Sequence, residues 1–116
     1  MPQLVSSATV IPVPGGKTIE EFIGHVNTGD SKVSVAIMQA PAGWSEPAQT
    51  PEFDEITLVL SGNIDVEHDG GITSVSAGQA LITRAGERVR YLTREAAHYV
   101  AICVPAFSPD SVNRED

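Results

Sequence analysis

From Asp54 to Val104 the chain is built of short apolar runs, at 54–60, 63–68, 71–76, 79–83, 88–93 and 97–104, most of them separated by glycine-containing turns. Ser61-Gly62-Asn63 and Asp69-Gly70-Gly71 supply the positive-φ positions that tight hairpins require, and Ala77-Gly78 and Ala85-Gly86 mark further turns. No segment carries the period of an amphipathic helix. Many short strands with regular turn signals predict an all-β fold, a sandwich or a closed barrel, in which sheet edges are paired or covered.

The upstream half fits the same reading. Residues 32–40 alternate, with Val33, Val35 and Ile37 on one face and Ser34, Ala36 and Met38 on the other, as a strand requires. Residues 17–26 combine β-branched side chains with Gly24, and we read them as a strand rather than a short helix. Pro2, Pro12 and Pro14 break residues 1–16 into an N-terminal arm that can pack along a sheet edge. The boundaries predicted are an arm at 1–16, a barrel at 17–107 and a loosely held polar C-terminal tail at 108–116.

A chain of 116 residues has room for one domain. Its formal net charge of −8 opposes phosphate backbones and anionic lipid, so neither nucleic acid nor a membrane is expected as a partner. No apolar run is long enough to span a bilayer, and the N-terminus lacks a basic segment followed by an apolar one, which predicts a cytoplasmic protein. The single Cys103 lies in an apolar run and reads as a small buried hydrophobe. His25 reads as a partly buried polar residue, and His68, beside the Asp69-Gly70 turn, as solvated.

The stretch Gly43–Gly62 is where chemistry is expected. Strand parity places Phe53, Glu55, Thr57 and Val59 on one face and Asp54, Ile56, Leu58 and Leu60 on the other, so a carboxylate faces inward among apolar groups. Gly43, Gln49, Pro51, Glu55 and Gly62 reproduce, without a gap, the spacing of the first cupin motif, G-x5-H-x-H-x3-E-x6-G. Gly78, Arg84, Gly86, Val89 and Thr93 align with the second, G-x5-P-x-G-x2-H-x3-N, keeping its glycines. The chain thus resembles the cupin superfamily, which implies a jelly-roll β-barrel (a double-stranded β-helix) around a pocket, commonly dimeric. Within the cupins, FDEITLVLSG and the terminal YVAICVPAF resemble the metal-ligand-poor branch that includes the ethanolamine-utilisation cupin, which implies bacterial metabolism of small amines or acyl phosphates.

Cupins usually bind a divalent metal through two His and a Glu of the first motif and a His of the second. Those positions are Gln49, Pro51, Glu55 and Val89, and only Glu55 is a normal ligand. No metal or other cofactor is therefore expected, although Glu46, Glu52 and His98 are candidates for a rebuilt site with Glu55. The pocket so implied holds Glu55 as general acid or base with Tyr91 and His98, and Gln49, Trp44, Thr57, Arg84 and Tyr99 for binding. A desolvated carboxylate has a raised pKa, which suits proton transfer near neutral pH. Two simpler roles stand beside this: Glu55 as no more than a hydrogen-bond partner of Tyr91 or a backbone amide, and Arg84, Arg88 and Arg90 as surface ion-pairing groups. Three functions follow: an enzyme acting without a conventional metal on a small polar or anionic molecule, a non-catalytic small-molecule-binding module, and a metal enzyme with substituted ligands. The apolar face of Ile56, Leu58 and Leu60 needs cover, from the arm or from a second copy in a homodimer.

Overall fold

A computed structural model describes residues 1–115; Asp116, the end of the predicted tail, lies outside the described residues. Nine strands form two antiparallel sheets: β1 (Thr9–Ile11), β2 (Thr18–Ile23), β3 (Ser34–Ala40), β4 (Asp54–Ser61), β5 (Asn63–His68), β6 (Gly71–Ser76), β7 (Ala80–Thr83), β8 (Arg90–Leu92) and β9 (Ala97–Val104). One sheet has the order β1-β2-β3-β9-β4-β7 and the other β6-β5-β8. No helix occurs among the described residues. The fold is the cupin-type double-stranded β-helix that the motif spacing implies.

Alternation decides which side chains enter the space between the sheets. On β4, Glu55, Thr57 and Val59 are buried while Leu58 and Leu60 are exposed, and on β9 Ala97, Tyr99, Ala101 and Cys103 are buried. Val89, Tyr91 and Thr93 are buried from the opposite side. One apolar cluster gathers Val59, Ile64, Val66, Val75 and Val89 with the rings of Trp44, Tyr91 and Tyr99. A second joins Phe53 and Cys103 to Val112 and Phe107, the two Phe rings meeting edge to face at 5.9 Å.

Two expectations change. The N-terminal arm pairs β1 on the outer edge of β2, so it gives no cover to the β4 face, where Leu58 and Leu60 remain 38% and 47% exposed. The C-terminal tail is held rather than loose: Val112 is buried, Glu115 donates its backbone N–H to the Ala48 carbonyl, and Arg114 pairs with Gln49. One apolar residue and a set of backbone hydrogen bonds suffice to anchor a segment whose composition is otherwise that of a solvated end.

Gly62, the last residue of the first motif, turns the chain from β4 into β5 at φ +79°. A Cβ there would run into the Ala96 carbonyl and the backbone of Ala97, which have no side-chain freedom to yield. Gly62→Ala is therefore expected to lower stability in a urea melt by about 2–4 kcal/mol, adding a backbone clash to the usual left-handed strain.

Candidate functional site

Small side chains make the site. Ser34 and Ala36 on β3 and Ala101 and Cys103 on β9 leave the inner face of the larger sheet without bulk. The result is a mostly apolar cavity of about 760 Å³, in the range of small-molecule pockets. Its other wall is the segment Trp44–Gln49, which runs antiparallel to β8 through the bridges Ser45–Leu92 and Gln49–Val89. Prolines at 47 and 51 keep this segment extended, and the bridges set its inward residues.

Polar groups from four parts of the chain converge there. β4 contributes Glu55, the residue just before β2 Lys17, the loop Glu46 and Gln49, and the tail Arg114. Arg114 Nη2 donates to Gln49 Oε1 at 3.0 Å and stands 3.5 Å from the Glu46 carboxylate. The Lys17 ammonium lies 4.3 Å from the Trp44 ring centroid and 5.5 Å from that of Tyr99. Desolvation raises the Glu55 pKa to about 7; Lys17 opposes the shift, Glu46 adds to it, and the Tyr91 hydroxyl and Arg114 moderate it. Desolvation likewise lowers the Lys17 pKa, against the pull of Glu46 and Glu55. Burial, then the Glu55 charge, keeps Tyr91 protonated, and its hydroxyl lies 3.2 Å from Thr83 Oγ1.

Of the residues singled out from the sequence, Glu55, Tyr91, Gln49, Trp44 and Tyr99 meet in this cavity. Three do not. His98 alternates to the face opposite Tyr99, where it pairs across to Gln39 and Ser61. Thr57 is buried but lies outside the cavity lining, two residues along β4 from Glu55. Arg84 is largely exposed and faces Asp54 at 3.6 Å on the surface, not the pocket mouth. Arg88, Arg90 and Arg94 likewise pair outside with Glu115, Glu67 and Asp65. His25 is exposed at the cavity rim, and His68 is exposed at its hairpin, bonded to Thr73. Sequence reasoning missed Lys17 and Arg114 and weighed Glu46 only as a metal ligand. Nothing in the local pattern marks Arg114; Lys17 had one available signal, being one of two lysines in the chain.

The donor set does not fit the metal that cupins usually carry. Pro51 and Val89 have no donor atom, the Gln49 amide oxygen is taken by Arg114, and the Glu46 carboxylate faces the same guanidinium. Among the described residues no three His, Cys, Asp or Glu side chains come together. Two cations beside the one remaining carboxylate oppose a third.

Residues 15–108 match the sequence model of the family described as ethanolamine utilisation protein EutQ. The chain belongs to the EutQ family. A protein of Myxococcus xanthus named endoribonuclease YbeY is 44% identical over 108 residues, which are 91% of this chain and 37% of that protein, so the EutQ-family chain spans little more than a third of its relative. Among solved structures, the ethanolamine utilization protein Q of Salmonella typhimurium is similar with a TM-score of 0.65 at 19% identity, covering 87% of this chain and 96% of that one. An RmlC-like cupin of Shewanella frigidimarina reaches a TM-score of 0.74 at 12% identity, covering 90% and 89%. These likenesses show that the EutQ-family chain has the fold of those cupin-type structures.

The Glu55 shift has a measurable consequence for stability. Its folded pKa of about 7 lies above the 4.5 of an unperturbed carboxyl, so between these values the folded state keeps a proton that the unfolded state has lost. Stability should therefore fall as pH rises from about 4.5 to 7, by about 3 kcal/mol in all. Urea titrations across that window should show the decline in the wild type and not in Glu55→Gln.

Proposed function

We propose that this EutQ-family cupin acts on a small polar or anionic molecule by proton transfer, with Glu55 as the acid or base and no metal. The observation that carries the reading is the position of Glu55: a carboxylate inside an apolar cavity, poised between its two protonation states near pH 7. Arg114, oriented by Gln49 and Glu46, is suited to hold a carboxylate or phosphate group of the ligand. Trp44, Tyr91 and Tyr99 wall the space around the reacting group and limit water there. Loss of a proton from the ligand to Glu55, and its return to another ligand atom, is the chemistry such a site can perform.

A library of small carboxylic acids incubated in deuterated water, followed by NMR, should reveal exchange of protons next to a carbonyl. Glu55→Gln should abolish that exchange with an unchanged near-UV circular dichroism spectrum, and unchanged turnover would overturn the role of Glu55. Arg114→Gln should raise KM by about 10–100-fold while kcat changes less, as expected for a group that binds ground and transition state alike.

A second reading, a non-catalytic binding module, draws support from a 44% identical segment that forms 37% of a longer relative. Ligands that raise the melting temperature without any product would favour it. The ribonuclease activity in that relative's name is not extended to this chain, whose charge of −8 opposes an RNA backbone.

The outer face of the larger sheet carries Ile56, Leu58, Leu60, Ile82, Val100 and Ile102, and a second copy is the cover proposed for it. Light scattering should give a dimer at micromolar concentration, and Leu58→Glu a monomer with the same barrel spectrum.

A further inference from the structure

Lys17 is not used in any hydrogen bond or ion pair among the described residues, although it lines the cavity and its ammonium packs over two buried rings. The other lysine, Lys32, is exposed on the connection between β2 and β3. Placing an amine in a desolvated, aromatic-walled space beside a carboxylate lowers the cost of making both neutral. A proton moved across the cavity from Lys17 to Glu55 turns a separate ammonium and carboxylate into an amine and a carboxylic acid, and burial disfavours the charged form of each. The charged groups around Lys17 are Glu55 from β4, Glu46 from the loop and Arg114 from the tail. Glu21 of β2, His25 and Asp110 line the cavity further out, and the Glu21 carboxylate already accepts the backbone N–H groups of Val26 and Asn27.

We propose that Lys17 is an amine nucleophile that forms an imine with the carbonyl carbon of a small oxo acid, whose acid group Arg114 holds in the same cavity. The inference rests on the reading of Glu55 as the proton carrier and names the substrate class for it. Lys17 first gives a proton to Glu55. The free amine attacks the carbonyl carbon, a C–N bond forms, and proton transfer from nitrogen to oxygen yields a neutral carbinolamine. Glu55 then protonates the hydroxyl, water leaves as the C–O bond breaks, and a protonated imine remains opposite the Glu55 carboxylate. Charge is the same at start and end, and no oxidant or reductant takes part. The protonated imine then withdraws electrons from the neighbouring C–H bond, which is the proton that Glu55 is placed to remove.

The test is trapping with the whole chain. Glyoxylate and sodium cyanoborohydride at pH 7 should convert Lys17 to its carboxymethyl derivative, read by peptide mapping, with Lys32 and the Met1 amine as internal controls. Burial lowers the Lys17 pKa and so leaves more of its amine free at pH 7, and Lys17 should label faster than Lys32. Glu55→Gln should slow Lys17 labelling and leave Lys32 unchanged. Arg114→Gln should slow labelling by glyoxylate but not by propanal, which has no acid group. Lys17→Arg, its fold checked by circular dichroism, should lose the fast adduct. Labelling of Lys17 no faster than Lys32 would overturn the proposal. If glyoxylate still raised the melting temperature of the wild type, and not of Arg114→Gln, the pocket reading would stand and only the nucleophile would fall; if it bound nowhere, both would fall.

Discussion

Removing Glu55 from water is the constraint on which the site depends. A lone carboxylate between two sheets would cost several kcal/mol if it had to stay charged, so the surroundings must either neutralise it or answer its charge. This chain does both in part. The apolar walls favour the proton, while Lys17, the Tyr91 hydroxyl and Arg114 favour its loss. The balance near neutrality is a property of groups drawn from the segment before β2, the 44–49 loop, β4, β8 and the tail.

That balance explains how the fold survives the loss of the usual cupin ligands. At the motif positions, Gln49 is occupied by a guanidinium, and Val89 has joined the apolar core against Val59, Ile64 and Val66. Two side chains from outside the motif, Lys17 and Arg114, bring positive charge to bear on Glu55. The frame of glycines is kept because the turns need it: Gly62 meets the backbone of Ala96 and Ala97 too closely for any side chain.

The sequence made the barrel legible because strand alternation and glycine turns are local signals. β5, β6 and β9 begin and end where the pattern puts them, and the inward set Glu55, Tyr91 and Tyr99 follows from parity. Less was legible where two faces were equally plausible or partners came from far along the chain. His98 and Tyr99 are neighbours on opposite faces, and only the pairing of β9 between β3 and β4 decides which enters. Arg84 matched a motif position, yet the β7–β8 turn carries it to Asp54. Lys17 and Arg114 lie 38 and 59 residues from Glu55 along the chain, and no short-range pattern joins them.

The cavity wall also includes segments that flank the central strands, with Val13 and Pro14 on one side and Arg114 on the other. Each of these segments is held by a few backbone hydrogen bonds of its own. Segments of this kind open at lower free energy than the sheet they rest on. Opening these flanking segments costs less than opening the barrel, so slowed amide exchange at residues 9–11 and 112–115 becomes a gauge of whether the cavity is filled.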